Sequence, residues 1–398
     1  MTEQIPGHSQ DRFALVNGRV ILPQEIVAGK AVVVEGHRIM DVVEANALGA
    51  DMTRVDVGGR YIAPGLIDIH THGAIAHTFN EPTAEAFAAI TRENLRHGVT
   101  SLLATIATAS IPDLVKCLEF SRAWMSRPRP GAQVLGVHLE GPYFSMAFKG
   151  AQDPQSIRTP DDGTADQLLA YADVLKIMTF APELPGALEL AERLHKRGIV
   201  AAAGHSSARE EDVRAAMQHG LGHMIHLWSG QSTTVREGPW RKPGLLEASL
   251  TLDDLTGEII ADNRHLPPIL MRLAYKCLGA DRLCVVSDAT SGAGLPEGAR
   301  FRMGNLEYEV CDGVGMLLDH TAFAGSTTLL NQMLPILTGL VGIPLAEAVR
   351  MATLTPARVI GLDTRKGSIE SGKDADMAIF NDDFTVWRTL VAGTWGHV

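Results

Sequence analysis

The sequence predicts an α/β fold: a (β/α)8 TIM barrel carrying a small discontinuous β-sandwich domain formed by both chain ends. Three observations predict it. Apolar runs separated by stretches of helical spacing recur at 61–69, 100–107, 133–139, 174–180, 199–203, 222–227, 257–261 and 282–287. Short β-branched runs punctuated by turns fill 13–60 and return after residue 366. Acid and imidazole side chains stand at the ends of the first, third, fifth, sixth and eighth apolar runs. In a barrel all those ends lie on one rim. A doubly wound sheet is the alternative for the same alternation, and the clustering favours the barrel. The expected division is 1–60 and 355–398 in the small β-domain and 61–354 in the barrel.

In the first segment, Asn17-Gly18 and Glu35-Gly36-His37 separate β-branched runs and read as hairpin signals. Within the barrel, Ile269, Leu270, Leu273, Ala274, Cys277 and Leu278 share one helical face, with Arg272 and Lys276 off it. Met333, Leu334, Leu337 and Leu340 make a similar stripe, read as core. Long connections at 141–163, 228–243 and 289–323 follow strands, where substrate contacts and lids sit. The last of these holds a hairpin-like stretch at 300–310. Strands and turns from Lys366 to Trp387 are expected to pair with the N-terminal strands.

Composition narrows the function classes. The 398 residues are 45% hydrophobic and 20% charged, with a net charge of −11. That is a globular balance, and it argues against nonspecific binding to nucleic acid or an anionic membrane. No apolar run approaches the roughly 20 residues of a membrane span, and Met1 to Arg12 is polar, without the apolar core of a signal peptide. Four scattered cysteines suggest reduced thiols. The expectation is a cytoplasmic enzyme with a small-molecule partner.

The chemistry starts at Ala63-Pro64-Gly65-Leu66-Ile67-Asp68-Ile69-His70-Thr71-His72. On a strand, positions i and i+2 project from one face, so His70 and His72 form a pair suited to a divalent transition metal. The third run ends in Glu140-Gly141-Pro142, the fifth in Gly204-His205-Ser206, the sixth in His223-Met224-Ile225-His226 and the eighth in Asp288. Histidine and carboxylate without thiolate suit Zn²⁺, or Fe²⁺, Mn²⁺ or Co²⁺. Such an ion lowers the pKa of a bound water from 15.7 to about 7 and polarises a carbonyl oxygen. Asp288, at the last strand end, is the candidate to accept that water's proton and deliver it to a leaving amine.

At these residues the sequence resembles the amidohydrolase superfamily and, more narrowly, the N-acetylglucosamine-6-phosphate deacetylase family. The segments His138-Leu139-Glu140-Gly141-Pro142, Gly204-His205-Ser206, Val286-Ser287-Asp288-Ala289 and Ala324-Gly325-Ser326 carry the likeness. The resemblance implies that Glu140, His205 and His226 hold the main metal. It implies that His70 and His72 ligate a second ion where one is present, that Asp288 is the general acid/base, and that His265 contacts the sugar. It also implies a homodimer, and leaves open whether Arg236 crosses to the neighbouring subunit's phosphate.

Two departures stand out. Gln152 occupies a position where the family carries a substrate-contacting histidine; it can hydrogen-bond but not carry charge. The loop His226-Leu227-Trp228-Ser229-Gly230-Gln231-Ser232 replaces the family's phosphate-holding sequence. Ser229, Gly230, Arg236, Arg241 and Lys242 are the candidates to bind an anion in its place, while Trp228 and Trp240 are read as packing the loop onto the barrel. The expected reaction is metal-dependent removal of the N-acetyl group from an amino-sugar phosphate such as N-acetylglucosamine 6-phosphate. The rivals are an amidohydrolase of another N-acyl substrate (N-acetylgalactosamine 6-phosphate, a sugar acid, an unphosphorylated sugar or an N-acyl amino acid) and a non-enzymatic sugar-phosphate binding protein.

Overall fold

The computed structural model describes residues 12–303, 306–320 and 323–396. The polar segment before Arg12 and the tip of the hairpin at 300–310 lie outside the described residues. Eight parallel strands form the barrel: β1 (Leu66–Thr71), β2 (Val99–Ala107), β3 (Gln133–Glu140), β4 (Leu175–Phe180), β5 (Val200–Ala203), β6 (Leu221–Met224), β7 (Thr256–Ile260) and β8 (Leu283–Val286). They are hydrogen-bonded in chain order. Just past β8, Asp288 N donates to His70 O at 2.9 Å, drawing the last strand's end to the first.

Helices return the chain outside the sheet. Ala84–Arg96 starts at Thr83, whose hydroxyl accepts from Ala86 N at 3.2 Å, and Ile111–Met125 starts in the same way at Ser110. Each such cap satisfies an otherwise orphaned amide. The helix Pro268–Arg282 buries Met271, Ala274 and Leu278, while Ile269 and Leu273 are exposed. Its buried stripe is thus rotated from the one the spacing suggests. Likewise Met333, Leu334 and Leu337 are core but Leu340 is exposed.

Both chain ends build the small β-sandwich. One sheet contains Arg38–Glu44, Lys30–Glu35, Arg12–Val16 and Thr53–Asp56, in that spatial order. The other contains Tyr61–Pro64 beside Met377–Phe380 and Val386–Val391. Period-2 alternation sends Phe13, Leu15, Val32 and Val34 into the core shared with Ile62, Met377 and Leu390.

Two turns differ from the sequence reading. The Gly36-His37 hairpin forms, pairing Glu35 with Arg38. Asn17-Gly18 instead passes the chain between sheets, and a Cβ at Gly18 would lie 2.7 Å from Ile62 and Val57 side-chain carbons. The 61–69 run is also two strands. The chain changes sheet at Gly65, where a Cβ would lie 2.1 Å from Thr100 Oγ1. All four cysteines are free. Among the described residues, no helix is long and apolar enough to cross a membrane.

Candidate active site

The strand ends of β1, β3, β5, β6 and β8 meet in one cavity of about 240 Å³. His72, Glu140, Gln152, His205, His226, Ser229, Gly230, His265 and Asp288 all line it. His70 lies just beneath, fully buried. Two groups bring their donor atoms within 4.8 Å of one another: Glu140 with His205 and His226, and Glu140 with His70 and His72. Glu140 is common to both. Its Oε1 is 3.2 Å from Nε2 of His205 and of His226, and its Oε2 is 3.3 Å from Nε2 of His72. Asp288 Oδ1 stands 3.3 Å from His72 Nε2 and 3.6 Å from His70 Nε2.

The far side of each ring sets its tautomer. His205 Nδ1 meets the carbonyl of Phe148 at 2.9 Å and His226 Nδ1 that of Ser229 at 3.1 Å. A carbonyl only accepts, so each Nδ1 carries the proton and each Nε2 lone pair faces Glu140. His70 Nδ1 faces Glu258 Oε2 at 2.8 Å, and His70 Nε2, although buried, makes no hydrogen bond among the described residues.

The buried charges are arranged to accept a cation. Burial opposes ionisation of Glu140, but His205, His226, His70 and His72 hold its carboxyl well below the usual carboxylate range. Burial likewise opposes, and His70 and His72 outweigh, in keeping Asp288 lowered. Burial also disfavours charge on His72, yet Asp288 and Glu140 push it up to about 9. Buried carboxylates facing imidazole lone pairs are satisfied either by extra protons or by a divalent ion. The orphaned His70 Nε2 and the thiolate-free donor set fit an ion of the zinc type.

Backbone strain marks the same residues. His205, His226, Trp228 and Asp288 adopt φ of 46°, 21°, 74° and 44°. Left-handed backbone at a non-glycine residue costs about 1–3 kcal/mol and persists where the surroundings over-determine it. Asp288 is held by its own N on His70 O and by Ser326 N on its O, each at 2.9 Å. Gly230, at φ 58°, lies so close to His205 that a Cβ would sit 2.7 Å from Nδ1. Gly230→Ala is therefore expected to displace His205 and lower kcat/KM by about 10²-fold, the scale of an ångström-sized misplacement. Gly198→Ala, at φ 67° with nothing within 4 Å of the added carbon, carries the same backbone penalty and is expected to stay within twofold of the parent. Steady-state kinetics on both variants checks this.

Other expected contacts divide. Gln152 is pinned: its Oε1 accepts from Thr108 N at 2.9 Å and its Nε2 donates to Glu140 Oε2 at 2.5 Å. His265 lines the cavity with Nδ1 on Asp262 Oδ2 at 2.7 Å and its ring 5.1 Å from that of Phe323. Arg236 does not line the cavity; it lies on an exposed hairpin, Val235–Glu237 with Trp240–Lys242, and donates to Gly238 O at 2.7 Å. Trp228 packs against the core, but Trp240 is 71% exposed and does not pack the loop down. The sequence reading gave no role to Glu258 or His138. A lone acid in the apolar 257–261 run was the available signal. His138 bonds Ile69 O and Thr179 Oγ1, and burial drives its pKa down to about 3, so it is neutral.

Known proteins resemble this chain along nearly its whole length. The amidohydrolase family model matches residues 61–396 and the NagA composite domain model matches 12–62. N-acetylglucosamine-6-phosphate deacetylase of Haemophilus influenzae is 33% identical over 96% of this chain and 99% of its own. N-acetylgalactosamine-6-phosphate deacetylase of Escherichia coli O157:H7 is 31% identical over 89% of this chain and 93% of its own. The crystal structure of N-acetylglucosamine-6-phosphate deacetylase from Pasteurella multocida superposes with a TM-score of 0.91 at 30% identity, covering 97% of this chain and 99% of that one. The chain belongs to the amidohydrolase family and, within it, to the N-acetylglucosamine-6-phosphate deacetylases.

Proposed function

We propose that this chain hydrolyses the N-acetyl group of an amino-sugar 6-phosphate, with N-acetylglucosamine 6-phosphate as its substrate and Asp288 as general acid/base. The observation that carries the reading is the meeting of Glu140, His205, His226, His72 and Asp288 in one cavity, with His70 directly beneath them. Glu140, His205 and His226 would hold the main ion, which we take to be Zn²⁺, with His70 and His72 offering a second position. When bound, such an ion makes a water nucleophilic near neutral pH and polarises the acetyl carbonyl.

The chain's own groups do the rest. Water adds to the acetyl carbon, the C–N bond breaks, and acetate and the free amine form. Asp288, kept ionised, takes the water's proton and delivers it to the departing nitrogen. Gln152 has a second N–H beyond the one given to Glu140, available to an acyl or hydroxyl oxygen. His265, its Nδ1 proton on Asp262, leaves Nε2 to accept from a sugar hydroxyl. Among the described residues no Lys or Arg lines the cavity. Ser229 and Gly230 are the phosphate's neighbours in this reading, with Arg236 supplied by the second subunit of a homodimer. The exposed Arg236 and Trp240 of the hairpin support that arrangement. The free cysteines support a cytoplasmic setting.

The Escherichia coli relative favours a second reading, with N-acetylgalactosamine 6-phosphate preferred. Acetate release from both phosphosugars and from unphosphorylated N-acetylglucosamine decides. The first reading expects kcat/KM for N-acetylglucosamine 6-phosphate at least about tenfold above the others, a difference of about 1.4 kcal/mol in transition-state binding. A reversed order of the two phosphosugars supports the second reading, and release from none of the three contradicts both.

A further inference from the structure

Beneath the ion ligands the barrel interior is polar where apolar layers would ordinarily fill it. Glu258, fully buried on β7, is the hub. Its Oε2 accepts from His70 Nδ1 at 2.8 Å and from the backbone N–H of His226 at 3.3 Å. Its Oε1 is 3.0 Å from Nε2 of His223 on β6, whose Nδ1 is 2.7 Å from Thr256 Oγ1. The backbone of the same residue is fixed too: Leu227 N donates to Glu258 O at 2.8 Å. One side chain thus joins β1, β6 and β7, directly under the cavity and out of reach of any ligand in it.

We infer that Glu258 is a positioning residue that turns His70 into a metal ligand, so that occupancy of the His70–His72 position depends on this carboxylate. In the neutral ring, the Nδ1–H committed to Glu258 leaves the Nε2 lone pair facing Glu140 and Asp288. The carboxylate also makes the imidazole a stronger donor. Loss of such an outer partner typically weakens metal binding 10–100-fold. His72 has no equivalent among the described residues, where its buried Nδ1 has no hydrogen-bond partner. The pair therefore relies on His70 for its preorganisation. The side chains of Glu140, His205 and His226 are oriented by Gln152, Phe148 O and Ser229 O, and Glu258 reaches His226 only through its backbone N–H at 3.3 Å, so their ion should respond much less.

This inference rests on the metal-dependent reading of the site. It is tested by ion content and chelator-competition titration with Co²⁺ and Zn²⁺ on the parent, Glu258→Gln, Glu258→Met and His70→Ala, each checked for folding by its melting curve. The expected result is a second ion present in the parent and a high-affinity ion that stays close to parental affinity in the three variants. That second ion should be weakened about 10–100-fold in Glu258→Gln, more in Glu258→Met, and lost in His70→Ala. Should Glu258→Met fail to fold, Glu258→Gln decides alone, since it keeps the volume and one acceptor while removing the charge. A folded Glu258→Gln whose two affinities both stay within twofold of the parent overturns the inference. So does a parent whose ion content His70→Ala leaves untouched. A parent that takes up both ions but releases no acetate from any amino sugar would defeat the proposed reaction and leave this inference standing.

Discussion

Asp288→Asn is expected to lower kcat by about 10²–10⁴-fold, the usual range for a lost general acid/base, with the main ion still bound. Asparagine keeps the shape of the side chain and its place against His72 and His70, but it cannot take up a proton. The parent carboxyl is held ionised because His70 and His72 outweigh the cost of burial. Loss in kcat with little change in KM is the signature of an interaction made in the transition state. Metal analysis beside steady-state kinetics separates this from a collapsed site. A variant that retains its ion and turns over within threefold of the parent would remove Asp288 from the reaction.

Glu140→Gln is expected to act one step earlier. Glu140 is the only side chain present in both donor groups, and four imidazoles face it. Glutamine leaves those rings around a neutral amide that turns an N–H₂ toward some of them. The main ion should be lost, by more than the 10–100-fold that attends removal of an outer partner, and turnover should vanish with it. Gln152, which donates to Glu140 Oε2, loses its charged acceptor as well. Ion content after dialysis is the direct readout, and a variant that retains the ion at parental affinity would mean that Glu140 is not a ligand.

The parts legible in the sequence were those with a short, local rule. His70 and His72 are two apart on a strand and point the same way, as the period of a strand requires. Glu140 stands at the end of β3, and His205, His226 and Asp288 follow β5, β6 and β8, so barrel topology brought them together. The less legible parts depend on what lies across the fold. An apolar run through Gly65 reads as one strand, and only the approach of Thr100 shows why the chain changes sheet there. Helical periodicity finds the helices at 268–282 and 330–341 but not which side meets a neighbour: Ile269 and Leu273 share the apolar face yet are exposed, and Leu340, read as core, is exposed too. Trp240 misled for the same reason: an aromatic ring in a loop says nothing about whether the loop folds back. Glu258 escaped because its partners, His70 and His223, are distant or unremarkable in sequence and close only once β1, β6 and β7 are adjacent.

The central claim is that side chains from separate strand ends share one ion. Anomalous scattering from crystals grown with Zn²⁺ or Co²⁺ tests it most directly. The account predicts a peak contacted by Glu140, His205 and His226 at about 2.0–2.2 Å. A cavity with no peak, or an ion bound without those three side chains, would contradict it.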